Sequence, residues 1–113
     1  NIARLKAAKA QEQQAKLSFQ QTLLNAGSEV SNALSLYQKT CEKVDLRRMQ
    51  VESAQKASED TKDLFKLGTS TYLEVLSAYQ AYLSAQLSQV ADRFDQMQAV
   101  ISLYQALGGG REE

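Results

Sequence analysis

Few side chains in this sequence could carry out chemistry. Its 113 residues include 13 acidic and 13 basic residues, a single cysteine (Cys41) and no histidine. Catalytic triads and the usual zinc or iron–sulfur sites require imidazole or several thiolates, so this composition excludes them. The balanced charge also argues against a nucleic-acid binder, which needs a net positive surface. We therefore predict no enzyme activity, no cofactor, no metal site and no nucleic-acid partner.

The elements that position these residues are predicted to be helices. Proline is absent, although average usage would place about five or six in a chain of this size. Glycine occurs only five times, and good helix formers fill most other positions. The sequence contains no apolar run of the length that spans a bilayer and does not begin with the pattern of a signal peptide. The expected fold class is all-α.

A heptad pattern runs through each half of the chain and predicts the core of a coiled coil with left-handed supercoiling. In the second half, the apolar residues recur at alternating spacings of three and four, with Gln80 in the remaining slot: Leu73, Leu76, Leu83, Leu87, Val90, Phe94, Met97, Ile101 and Tyr104. The first half carries a similar seam, with Thr40 and Arg47 in intervening slots: Phe19, Leu23, Val30, Tyr37, Val44 and Val51.

The second half carries two further stripes, the first beside the seam and the second on another side of the helix. One consists of larger residues, Tyr72, Val75, Tyr79 and Tyr82. The other consists of small residues, Ala78, Ala81, Ala85 and Ala91. A two-helix hairpin buries one stripe on each helix, so the extra stripes favour a helix with neighbours on more than one side, as in a bundle or helical barrel. The alternative is that the tyrosines are simply tolerated at the surface.

The residues between the two seams predict a tight reversal of the chain. Gly68 suits the left-handed conformation that follows a helix end. Thr71, followed three residues later by Glu74, fits a capping box that opens the next helix. The predicted αα-hairpin occupies residues 1–107, with a helix at about 2–67, a turn at about 68–70, a helix at about 71–106, and a glycine-rich tail at 108–113.

The two predicted helices differ in length. At 1.5 Å per residue the first would measure about 100 Å and the second about 54 Å, leaving about 45 Å of the first unpaired. That stretch still carries Phe19, Leu23 and Val30, so it needs a partner. Copies of the chain, the rest of a longer protein, or a fold-back at Gly27 could supply one. The heptad phase passes unchanged through Gly27, which favours a continuous helix.

Three segments resemble motifs of the TolC-like outer membrane efflux proteins. Residues 66–78 are similar to the family's helix-reversal motif and read Lys-Leu-Gly-Thr-Ser-Thr-Tyr-Leu-Glu-Val-Leu-Ser-Ala. Residues 103–110 resemble its Leu-Tyr-Lys-Ala-Leu-Gly-Gly-Gly-Trp, and residues 25–34 resemble its Ala-x-x-Glu-Val-x-x-Ala-Leu. The order is that of the family, and the resemblance covers essentially the whole chain. Ser77 departs from a frequent acidic residue, and Arg111 departs from tryptophan.

The resemblance implies a fragment of an export channel. Members of that family are homotrimers of the Gram-negative outer membrane, and their long helices form a periplasmic α-barrel. They work with a periplasmic adaptor and an inner-membrane pump. By resemblance, the tip that contacts the adaptor would be Leu67, Gly68, Thr69 and Ser70, and a pore constriction would involve Glu74 and Ser77. For Glu74, the pore role and the capping role both remain open.

A different class of protein fits the hairpin and heptads equally well. This alternative is an autonomous coiled-coil interaction or dimerisation module. A self-contained hairpin should have helices of similar length, so the predicted mismatch favours a fragment of a longer assembly. We also expect the isolated chain to self-associate, because association would bury the stripe from Phe19 to Val30.

Overall fold

A computed structural model describes residues 1–108, which form two antiparallel helices. α1 is Ile2–Lys66 and α2 is Tyr72–Gly108. The described residues measure 100 × 21 × 16 Å, with a radius of gyration of 27.2 Å, about twice the value for a globular domain of this size. Within residues 1–108 there is no strand, so the predicted all-α helical hairpin is confirmed. Apart from Gly108, the predicted glycine-rich tail lies outside the described residues.

α1 is one continuous helix of 65 residues and passes through Gly27 without folding back. No proline interrupts it, and Asn1 caps its start by accepting a hydrogen bond from the Ala3 amide at 3.2 Å. α2 has 37 residues, so the shorter helix cannot cover the longer one. Residues 1–29 are all exposed, and this range is called here the unpaired segment of α1.

The face of α1 that packs on α2 follows a regular three-and-four spacing. This α1 seam consists of the buried or half-buried residues Val30, Ala33, Tyr37, Thr40, Val44, Arg47, Val51, Ala54, Ser58 and Thr61. Four of them are large residues that the heptad pattern assigned to the seam. Phe19 and Leu23, assigned to the same seam, lie in the unpaired segment and are 63% and 57% exposed.

The predicted seam of α2 is wrong for the contact with α1. Its apolar members are all exposed, from 41% for Leu76 to 73% for Leu87: Leu73, Leu76, Leu83, Leu87, Val90, Phe94, Met97, Ile101 and Tyr104. We call this face, with Gln80, the outer seam. The inner seam, which packs on α1, consists of the half-buried or buried residues Val75, Ala78, Tyr82, Ala85, Gln89, Asp92, Gln96, Ala99, Leu103 and Ala106. Both faces have the heptad period. The more hydrophobic face, which the sequence pattern indicated, is not the face that packs on α1.

The inner and outer seams lie on nearly opposite sides of α2. Each outer position precedes an inner position by two residues, which corresponds to about 160° around a helix of 3.6 residues per turn. Nine of the ten outer positions are apolar or aromatic. At the equivalent positions of α1, two residues before each member of the α1 seam, nine of ten are polar and Met49 is the exception. A second apolar face along the paired length therefore belongs to α2 and not to α1.

Candidate functional site

The end of α1 is closed by a Schellman motif at the tip of the hairpin. Leu67 is the C-cap residue of α1, and Gly68 follows it with a φ of +79°. The Gly68 amide donates to the Phe65 carbonyl at 3.0 Å, and the Thr69 amide donates to the Leu64 carbonyl at 2.9 Å. These two bonds satisfy carbonyls that a helix end otherwise leaves unpaired. The backbone of the tip is therefore held in one conformation by residues of the tip itself.

The start of α2 is capped by its own hydroxyl groups. The Glu74 amide donates to Thr71 Oγ1 at 3.2 Å, as in a capping box. The Glu74 carboxylate does not return to the backbone, because Ser70 donates its hydroxyl to Glu74 Oε2 at 2.8 Å. Ser70 is only 8% exposed, whereas Glu74 and Ser77 are exposed. The Ser70 side chain therefore lies inside the turn, and the Glu74 carboxylate lies near solvent.

Apolar side chains surround the turn. Leu67 is 79% exposed and Leu73 is 72% exposed. The rings of Phe65 and Tyr72 pack in a tilted arrangement, with centroids 6.0 Å apart and an angle of 51° between their planes. Large exposed apolar residues grouped on a rigid turn are typical of a contact surface for another protein. The tip therefore offers a preformed, partly apolar surface with a glycine at its apex.

Gly68 and Gly27 should respond oppositely to replacement by alanine. Gly68→Ala is expected to destabilise the hairpin by about 1–2 kcal/mol, because an L side chain is strained at positive φ. Gly27→Ala is expected to stabilise it by about 0.5–1 kcal/mol, because Gly27 lies inside a helix. An added Cβ meets no atom within 4 Å at either site, so backbone conformation alone sets the sign. Thermal unfolding followed by circular dichroism checks this, and equal shifts would contradict it.

A charge cluster centred on the buried Asp92 lies midway along the paired part of the two helices. Asp92 is 3% exposed in the inner seam. Arg47 of the α1 seam donates its Nε–H to Asp92 Oδ2 at 2.6 Å, and Lys43 Nζ lies 3.4 Å from Asp92 Oδ1. Arg47 also donates to Gln50 Oε1 at 2.8 Å, and Lys43 lies 3.8 Å from Asp95. The Arg47 hydrogen bond and the two positive charges hold the pKa of Asp92 below its ordinary value, against the effect of burial.

Sequence reasoning placed Arg47 in a seam slot but did not find its partner. The available signal was that Arg47 and Asp92 both occupy heptad slots at similar sequence distances on the two sides of the turn. In an antiparallel hairpin such positions meet. The signal was missed because the inner seam, which contains Asp92, had not been identified.

Cys41 lies in the same interface. It is half-buried, and the Gln96 side chain donates to its sulfur at 3.4 Å. Within residues 1–108, no group of histidine, cysteine, aspartate or glutamate side chains is arranged to hold a metal ion. Neither of the two described helices has a stretch long and apolar enough to cross a membrane.

Comparison with known proteins gives a consistent result. Residues 1–109 match the family described as outer membrane efflux protein. The chain is 30% identical over its whole length to the cation efflux system protein CusC of Escherichia coli O6:H1, of which it covers 25%. Over 97% of the chain, it is 29% identical to the pyoverdine export outer membrane protein OpmQ of Pseudomonas putida and 27% identical to the probable outer membrane lipoprotein SilC of Salmonella typhimurium, covering 24% of each. The chain thus spans about a quarter of these curated relatives. No solved structure matches it.

Proposed function

The chain belongs to the outer membrane efflux protein family, and from this premise we propose that it forms part of the wall of a periplasmic helical tunnel in a larger export channel. The family is one of transport proteins and not of enzymes. The homotrimer, the periplasmic adaptor and the inner-membrane pump belong to the same proposal. Its support comes from the faces that the hairpin leaves uncovered.

The observation that carries the proposal is the pair of opposite seams on α2. α1 covers the inner seam, while the outer seam is exposed along the whole helix. Exposed apolar surface of this extent calls for a partner. A helix in a single curved layer has one neighbour on each side, so its two seams lie nearly opposite one another. In a compact bundle the neighbours converge on one side. The separation of about 160° fits the curved layer of a helical barrel.

We propose that helices from the remainder of the full-length protein cover the exposed faces. The chain spans about a quarter of its relatives, and on this proposal the remainder of the full-length protein supplies the helices that pack on the outer seam and on the unpaired segment. In a homotrimer, a closed ring of such helices would enclose the tunnel. On this proposal the segment lies in the periplasm, below an outer membrane channel.

The tip is proposed to contact the periplasmic adaptor of an export system that includes an inner-membrane pump. Leu67, Gly68 and Thr69 are exposed, and the glycine allows the backbone of a partner to approach closely. Ser70 is proposed to support this surface through its hydrogen bond to Glu74. The Glu74 amide can be capped by the Thr71 hydroxyl while the Glu74 carboxylate faces a tunnel constriction near Ser77. A ring of such carboxylates would favour cations.

Substitution at the tip of the full-length protein tests the docking role. Leu67→Glu is expected to reduce co-purification of the adaptor by at least tenfold, because it places charge on an apolar contact without changing the turn. Gly68→Trp should have the same effect by blocking close approach. The trimer, measured by native gel electrophoresis of outer membranes, should remain at its normal amount.

The matched control is Met49→Glu, which alters an apolar residue that is 56% exposed on the otherwise polar outer face of α1, away from the tip. Adaptor binding should survive this substitution. If both tip variants keep full adaptor binding in assembled trimers, the docking role of the tip is wrong. The alternative of an autonomous coiled-coil module is not favoured, because a self-contained hairpin should have helices of similar length, whereas α1 has 65 residues and α2 has 37.

A further inference from the structure

α2 has two seams on which α1 could pack, and α1 packs on the less apolar one. The outer seam offers leucine, valine, isoleucine, methionine and aromatic side chains. The inner seam offers mainly alanine and polar residues, with Val75, Tyr82 and Leu103 as its larger apolar members. Apolar burial alone would place α1 on the outer seam, because the stabilisation grows with the apolar area removed from water. A different interaction must determine which face α1 takes.

Arg47 brings a charge into the α1 seam. Its heptad neighbours in that seam are Val44 and Val51, and its side chain is 26% exposed. A guanidinium held in such a seam needs an anion or other acceptors from the facing helix. The inner seam supplies Asp92, whose side chain is 4% exposed and whose oxygen lies 2.6 Å from Arg47 Nε.

The outer seam has no acceptor at the same level. Its positions on either side of Asp92 along the helix are Val90 and Phe94, which are 67% and 58% exposed. With α1 on this face, Arg47 would lie against valine and phenylalanine side chains, and Asp92 would turn to the far side of α2. A buried charge without a partner is strongly unfavourable. The loss of this ion pair therefore opposes the gain in apolar contact.

We propose that the Arg47–Asp92 pair determines which face of α2 receives α1, and that it thereby keeps the outer seam free for a different helix. Lys43 assists from the edge of the interface, where it lies 3.4 Å from Asp92 and its side chain is 53% exposed. The pair acts by excluding a wrong arrangement as well as by stabilising the correct one. The competing explanation is that the caps of the turn alone orient α2.

The native cysteine provides a direct test in the 113-residue chain. Cys41 faces Gln96, so Gln96→Cys should form an intramolecular disulfide under mild oxidation. Residue 94 lies about 160° around the helix from residue 96. Phe94→Cys should therefore form the disulfide with Cys41 at least tenfold more slowly than Gln96→Cys. In chains that also carry Arg47→Leu and Asp92→Leu, we expect the preference to reverse. Mass spectrometry of dilute samples separates intramolecular from intermolecular bonds, and circular dichroism measures the helix content.

Three further variants test the proposal even if the doubly substituted chain loses its helical structure. The charge swap Arg47→Asp with Asp92→Arg should restore disulfide formation through Gln96→Cys to within a few fold of the parent, whereas Arg47→Asp alone should abolish it. Asp95→Asn should leave the pattern unchanged, because the side chain of Asp95 is 53% exposed. The proposal is overturned if the double leucine variant still prefers Gln96→Cys, or if the swap fails to restore that bond.

Discussion

Replacement of Asp92 by leucine is expected to lower the free energy of unfolding by about 3 kcal/mol, the lower end of the cost of breaking a buried ion pair. The reason is that Arg47 stays in the seam after its acceptor has gone. Since 26% of the Arg47 side chain is exposed, water offsets part of the loss. The midpoint of thermal unfolding should fall by about 10 °C or more. Circular dichroism at fixed protein concentration measures it, because association would shift the midpoint.

Asp95→Leu is the matched control for this substitution. Asp95 is on the next turn of the same helix and contacts the same Lys43, but its side chain is 53% exposed. Exposed pairs contribute little, so a change within about 0.5 kcal/mol is expected. The combined Arg47→Leu and Asp92→Leu chain should recover most of the lost stability, because no charge is then left unpaired. Equal effects of Asp92→Leu and Asp95→Leu would show that the Arg47–Asp92 pair contributes no more to stability than the exposed Lys43–Asp95 pair.

The Arg47–Asp92 pair also makes the difference in free energy of unfolding between the parent chain and Asp92→Leu depend on pH. The pKa of Asp92 is lowered in the folded chain, first by the Arg47 hydrogen bond and then by the charges of Arg47 and Lys43. A lowered pKa stabilises the fold fully above the ordinary carboxyl value of 3.8, and this contribution is lost as the pH falls through the folded value. The gap in stability between parent and Asp92→Leu should therefore be constant near neutrality and narrow below about pH 4.

The second large effect is expected in the association of the isolated chain. The unpaired segment exposes Phe19, Leu23 and Leu24 at 63%, 57% and 68%, so the 113-residue chain should form dimers or larger species at high micromolar concentration, with the stripe from Phe19 to Val30 buried. Phe19→Gln combined with Leu23→Gln should raise the dissociation constant by about 100-fold or more, since each buried apolar side chain contributes about 1.5–3 kcal/mol. Sedimentation velocity across a concentration series gives the constant.

Lys16→Gln serves as the control for this association, because it removes a charge from the unpaired segment without changing its apolar stripe. Its dissociation constant should stay within a few fold of the parent. A parent chain that sediments as a stable monomer at high micromolar concentration would refute the prediction. Fold-back at Gly27 would not rescue it, because α1 is continuous there.

The parts of the fold that depend on local signals were predictable. Gly68, with its positive φ, and the Thr71 cap follow from chemistry within a few residues of each other. The unequal helix lengths follow from the absence of proline and the position of the turn. The face of α2 that meets α1 was not predictable from apolar periodicity, because both faces share it. That choice depends on Arg47 and Asp92, which are 45 residues apart and meet only after the hairpin closes.

The two opposite seams of α2 restrict how insertions and deletions can alter this protein. Removing two residues within α2 would turn the rest of the helix by about 160°, exchanging the roles of its inner and outer faces beyond that point. Insertion or deletion of seven residues in α2 preserves both of its faces, provided that α1 gains or loses seven residues at the matching level. Each such paired step moves the tip by about 10 Å. The reach of the hairpin can therefore evolve in coordinated heptads, while the turn that forms its end stays the same.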